Sequence, residues 1–121
     1  MKSFTSIEQS KTLAKILPIE SADMFYLKIP NSLSVGYNYS DLPYFATLGM
    51  KDNLPAWSLA SLLEVLPKDI GRYTKSLYWF DETWHCEYVD EDSEGLCGAS
   101  ANNPIDACVE MIVKLKEKGI L

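Results

Sequence analysis

Between Tyr73 and Ser100, three runs rich in apolar and aromatic residues follow one another through connections too short to cross a sheet. The runs are Tyr73 to Phe80, Trp84 to Val89 and Leu96 to Ser100. Asp81-Glu82-Thr83 joins the first two, and the polar segment Asp90 to Gly95 joins the last two. A parallel return needs a crossover on the order of a dozen residues, so strands joined this tightly pair antiparallel as a meander. Strand alternation sends Trp84, Cys86 and Tyr88 to one face of the second run and His85, Glu87 and Val89 to the other.

A helix with unusually complete end signals follows this meander. Asn103 is a good N-cap, Pro104 suits the first helical position, and Asp106 complements the helix dipole. Ile105, Cys108, Ile112 and Leu115 form its buried stripe, with Val109 and Met111 at the edges. Lys114, Lys116 and Lys118 favour the C-terminal end, and Gly119 supplies the stop.

The first half of the chain is less regular. Thr5-x-x-Glu8 has the form of a capping box, which predicts a helix from about Ser6 to Leu17, closed by Pro18. Its apolar residues, Ile7, Leu13, Ile16 and Leu17, make a thin face suited to the outside of the domain. Met24 to Ile29 reads as a strand ended by Pro30. Residues 31–53 mix Asn, Ser, Gly and Pro with aromatics, and a strand or turn is expected near Tyr44 to Thr47. Pro55 then fits the first turn of a second helix whose stripe is Leu59, Leu62, Leu63 and Leu66, anchored by Trp57 and ended by Pro67, with a turn at Gly71. These elements predict an α+β fold in one domain spanning 1–121. It is an antiparallel sheet of three to four strands with helices packed on one side, in the order α-β-α-β-β-β-α.

A hydrophobic fraction of 47% is enough for a real core, and no apolar stretch approaches the roughly 20 residues that span a bilayer. Met1-Lys2-Ser3-Phe4 begins without the apolar core of a signal peptide. Cys86, Cys97 and Cys108 are odd in number and widely spaced, which fits neither a disulfide framework nor a zinc site. A reduced, cytoplasmic protein without cofactor or metal is expected.

The charge is uneven. Asp81, Glu82, Glu87, Asp90, Glu91, Asp92 and Glu94 fall within fourteen residues that hold no Lys or Arg, whereas the rest of the chain is near neutral. Such a strip repels nucleic-acid phosphates and attracts basic surfaces. It reads as a candidate docking surface for a basic protein or, more plainly, as a solubility device that protects a sheet edge. Tyr37, Tyr39 and Tyr44 form a second candidate, an aromatic binding surface, or else simply pin a long connection onto the core.

Catalytic and metal readings fare poorly. Asp90-x-Asp92-x-Glu94-Gly95 opens like a calcium loop, but Ala101 stands where the closing Glu belongs. His85 and Cys86 are strand neighbours and point to opposite faces, so they cannot act as base and nucleophile. Asp81, Glu82 and Glu87 would need a cleft to work as hydrolytic carboxylates, and a small meander rarely forms one.

Glu8-Gln9-Ser10-Lys11, Leu54-Pro55-Ala56-Trp57-Ser58-Leu59 and Ala101-Asn102-Asn103-Pro104-Ile105-Asp106-Ala107 resemble a group of uncharacterised small bacterial proteins often associated with prophage or mobile elements. The resemblance carries no activity. The order of three strands and a helix from Tyr73 onward is also similar to the HicB antitoxin family. With the helix before it, the order resembles double-stranded-RNA-binding domains, whose basic surface the acidic strip contradicts. Three functions are therefore expected in order: a non-enzymatic accessory or adaptor protein of a mobile element, an antitoxin-like inhibitor of a basic RNA-cleaving partner, and a small-molecule binder using the Tyr-rich 31–53 segment.

Overall fold

The computed structural model describes residues 2–29, 38–40, 42–45 and 53–121. In chain order its elements are α1 (Ile7–Ala14), a 3-10 turn (Ile19–Ser21), β1 (Met24–Tyr26), β2 (Lys28–Ile29), β3 (Asn38–Tyr39), β4 (Tyr44–Phe45) and β5 (Leu54–Ala56). There follow α2 (Leu59–Val65), β6 (Asp69–Ile70), β7 (Tyr73–Phe80), β8 (Thr83–Val89), β9 (Gly95–Ala101) and α3 (Pro104–Glu117). The fold is α+β, as the sequence predicts.

The meander forms an antiparallel sheet in the order β6-β7-β8-β9. β6 is an addition: Gly71, in the left-handed region at φ 60°, lets Asp69–Ile70 fold back onto the start of β7. The β7–β8 return is a two-residue turn with Asp81 at φ 53° and Glu82 at φ 59°. This twist matches that of the flanking strands and is ordinarily supplied by Asn-Gly.

α3 packs against β8 and β9, and α2 packs against α3. Asn103 caps α3 by accepting the Asp106 amide at 2.9 Å, with Pro104 in the first turn. The predicted stripe is buried in full: Ile105, Cys108, Ile112 and Leu115 are all 0% exposed. Cys86 and Tyr88 meet it from β8, and the Tyr88 hydroxyl donates to the Pro67 carbonyl at 2.6 Å. α2 contributes Leu62 and Leu66. Lys75, on the same face of β7, sends its ammonium to the Leu63 and Leu66 carbonyls at 2.7 and 3.2 Å, covering the electronegative end of α2.

Several local expectations are corrected. The first N-cap is Ser6, not Thr5, and its capping box closes on Gln9 rather than Glu8. Thr5 is wholly buried instead, where its hydroxyl accepts the Trp57 amide at 3.1 Å and bonds the Ser10 hydroxyl at 2.8 Å. The helix ends at Ala14, although its Leu13 is fully buried and α1 packs on β5 and α3. The strand foreseen from Met24 to Ile29 is interrupted at Leu27. β1 pairs with β4 and β5, whereas β2 pairs with β3, so the one run serves two small sheets.

Pro55 does not open a helix. It lies in β5, an edge strand of the order β4-β1-β5, where a missing N–H is tolerated. The helix starts at Leu59, capped by Ser58, whose amide and hydroxyl are both held by the Asp23 carboxylate. Trp57 anchors this junction: it is 0% exposed, and its indole N–H donates to the Ser21 hydroxyl at 3.0 Å.

A polar tie joins the two halves of the chain. Asp106 accepts from Lys2 at 2.8 Å, Gln9 at 2.6 Å and Asn103 at 2.7 Å. Burial alone would raise its pKa, but these three hydrogen bonds and the Lys2 charge outweigh that and hold the carboxyl below its ordinary range.

Candidate docking surface

The helices cover one face of the four-stranded sheet, and among the described elements none covers the other. On β7 and β8 alternation places Ser76, Tyr78 and Phe80 opposite Glu87, His85 and Thr83 on this open side, and none of them is buried. Tyr78 stacks on His85 with ring centroids 5.1 Å apart, and the Phe80 ring lies 6.4 Å from the imidazole. Phe80 is 67% exposed, and Trp79, which alternation puts on the opposite face with Trp84, is 53% exposed at the end of the hairpin. Trp79 meets Trp84 edge-on at 5.8 Å. The end of the β7–β8 hairpin is therefore an aromatic knuckle capped by two acids.

Hydrogen bonds hold the knuckle in shape. His85 Nε2 lies 3.1 Å from the Phe80 carbonyl, which can only accept, so this nitrogen carries a proton. In the neutral ring Nδ1 is then the acceptor, and it takes the Ser100 hydroxyl at 2.9 Å. The chain Ser100–His85–Phe80 spans β9, β8 and β7. Glu87 lies over β9, where a Cβ on Gly98 would sit 3.3 Å from the Glu87 Cγ, so glycine leaves room for it. A hydrogen bond to Glu87 raises the pKa of the Tyr78 phenol, with partial burial and the carboxylate charge adding to it.

The acidic strip, continuous in sequence, is divided in space. Asp81 and Glu82 sit at the knuckle, Glu87 sits mid-strand, and Asp90, Glu91, Asp92 and Glu94 sit at the far end of β8. At about 3.3 Å per residue, the seven-residue strand separates the two turns by roughly 20 Å. Asp90 is a structural residue: its carboxylate is 7% exposed, accepts the Asp92 and Glu94 amides at 3.0 and 2.9 Å, and pairs with Arg72 at 3.4 Å. The loop that opens like a calcium site is thus closed on its own backbone. Among the described residues no group of three or more His, Cys, Asp or Glu is placed to hold a metal ion.

The two described tyrosine candidates do not converge. Tyr37 lies outside the described residues. Tyr39, in β3, packs against the small cluster of Tyr26, Leu54 and Ala56. Tyr44, in β4 of a separate sheet, is 48% exposed, with its ring 6.1 Å from that of Phe25. His85 and Cys86 point to opposite faces, and Cys86 is buried against α3.

The knuckle itself was not singled out from the sequence. The signal was there in part, because a two-residue turn after Phe80 puts Phe80 and Tyr78 on the same face as His85. The consecutive aromatics Tyr78-Trp79-Phe80 hide that phase, since each position looks equally suited to a core.

Among the described residues no helix is long and apolar enough to cross a membrane. Comparison with family models, with curated proteins and with solved structures finds no match.

Proposed function

We propose that this is a small non-enzymatic accessory or adaptor protein, of the kind carried by bacterial mobile elements, that docks a basic partner protein on the β7–β8 knuckle. The observation that carries this reading is the pair Tyr78 and Phe80, exposed together on the open face, with Trp79 exposed on the opposite face of the same hairpin end, set directly beside Asp81 and Glu82. Buried aromatic anchors with a charged rim are the usual composition of a protein–protein hot spot. The backbone supports it as well. A left-handed conformation is costly for Glu, and Gly or Asn would serve the turn with less strain, so Glu82 is held there against local preference, whereas Asp81 tolerates it.

The partner of matching chemistry presents an apolar socket ringed by Lys or Arg. A basic RNA-cleaving enzyme is one such protein, and its capture would give the adaptor the form of an antitoxin-like inhibitor.

The test is capture from an extract of the source cells, with bound proteins identified by mass spectrometry. Wild type should retain a Lys/Arg-rich protein that salt releases. Phe80→Ser and the pair Asp81→Asn, Glu82→Gln should each lose it. Changing Glu91, Asp92 and Glu94 to their amides, at the other end of β8, should not. Equal recovery of every protein by wild type and the knuckle variants would refute the reading.

A further inference from the structure

β6 covers only the beginning of β7. It pairs Asp69 with Thr74 and Ile70 with Tyr73, and the last bond runs from the Lys75 amide to the Lys68 carbonyl at 3.0 Å. Beyond that point the outer edge of β7 has no neighbouring strand among the described residues. The direction of its main-chain groups follows from register. Phe80 and Thr83 flank the two-residue turn, so Phe80, Tyr78 and Ser76 exchange hydrogen bonds with β8. Lys75 points the other way, toward β6, and so do Leu77 and Trp79. Their N–H and C=O groups therefore face outward, with no partner among the described strands.

Sheet edges of this kind are normally blunted by a lysine, a proline or a bulge. Leu77-Tyr78-Trp79-Phe80 carries no charge and no proline, and its register with β8 runs without a shift. The flanks, in contrast, are charged. Lys68 is exposed at the end where β6 stops, beside an exposed Asp69 whose carboxylate accepts the Thr74 hydroxyl, and Asp81 and Glu82 are exposed at the other end.

We infer that this chain forms a symmetric dimer by antiparallel pairing of the free β7 edge with the β7 edge of a second copy. An antiparallel two-fold near Tyr78 and Trp79 makes the contact isologous. Leu77 and Trp79 of each copy then supply the inter-copy hydrogen bonds, as in other strand additions. The same operation brings Asp81 and Glu82 of each copy toward Lys68 of the other, which is the charge complementarity that favours a second copy as occupant. The two four-stranded sheets become one, with both open faces on the same side. The contact shares Asp81 and Glu82 with the proposed docking, but it is read on the purified protein with no partner present, so the two can fail separately.

The interface is short, and its dissociation constant is expected to be weaker than about 1 μM. Sedimentation of the purified protein over a concentration series is the test, with circular dichroism confirming the fold of each variant. Wild type should pass from monomer to dimer, and rising salt should weaken the dimer. The amides of Leu77 and Trp79 should exchange more slowly as concentration rises, whereas those of Tyr78 and Phe80, already bonded to β8, should change little. Trp79→Lys should remove the dimer. Lys68→Glu should weaken it by roughly tenfold, because two symmetric attractions become repulsions. The charge-swapped pair Lys68→Glu, Glu82→Lys should restore it. A monomer at every concentration, or a dimer indifferent to these substitutions and to the edge amides, would overturn the inference.

Discussion

Replacing Thr5 by valine tests the joint where the N-terminal segment enters the core. Valine has nearly the shape of threonine, so packing survives and only the hydroxyl is lost. Thr5 is 0% exposed, and its Oγ1 accepts the Trp57 amide at 3.1 Å while bonding the Ser10 hydroxyl at 2.8 Å. Ser10 is also 0% exposed, so water does not reach it to take over. Thr5→Val therefore strands a main-chain donor and a side-chain hydroxyl. Each orphaned group costs about 1–3 kcal/mol, which gives about 2–6 kcal/mol in all. For a domain of this size that corresponds to a fall in Tm of roughly 10–20 °C.

Urea and thermal unfolding of Thr5→Val, Ser10→Ala and the double variant make the assay. Ser10→Ala removes one of the two orphans, so the double variant should be more stable than the sum of the singles predicts, by about 1 kcal/mol or more. Thr5→Ser, which keeps the hydroxyl, should cost much less than Thr5→Val. A Thr5→Val protein as stable as wild type, or a cycle that is strictly additive, would refute the reasoning.

Ile112→Ala, at a fully buried position of α3, should lose about 2–5 kcal/mol by chemical denaturation through lost burial and the cavity left behind. Because the Asp106 pKa is depressed in the folded state, its contribution should be complete above the unfolded value of about 4 and disappear as pH falls through the folded one. Asp106→Asn should accordingly flatten the acid side of a stability–pH curve. Of the three free thiols, partly exposed Cys97 should be labelled first in the native protein, and slowly, because burial raises its pKa against the opposing pull of Lys118 and Lys114. Cys86 and Cys108, both 0% exposed, should be labelled only after unfolding. Glu82→Gly should stabilise by about 0.5–1 kcal/mol, since glycine adopts φ 59° without strain, yet it should weaken partner capture.

The meander and α3 were legible from sequence because their signals are local and agree with one another. Strand alternation, two short returns and a complete set of helix caps act within a few residues, so neighbouring side chains suffice to set the outcome. The side of β8 that carries Cys86 and Tyr88 follows from that alternation alone. Where two local solutions were nearly equal, tertiary contacts decided. Thr5-x-x-Glu8 and Ser6-x-x-Gln9 are both capping boxes on paper. The second forms because Gln9 also reaches Asp106 on α3, while Thr5 is drawn inward by the Trp57 amide. Pro55 fits a helix start as well as an edge strand, and pairing with β1 settles the matter.

The candidate surface was hidden for the same reason. Charge read along the chain gives one acidic strip, but an extended strand carries its two ends roughly 20 Å apart. One of those ends closes around Asp90, whose carboxylate is spent on its own backbone and on Arg72. The other ends in the aromatic knuckle. Which face of the sheet the helices cover, and therefore whether Tyr78 and Phe80 are core or surface, depends on where α3 returns after β9. That choice rests on contacts between residues distant in sequence, which no local pattern encodes.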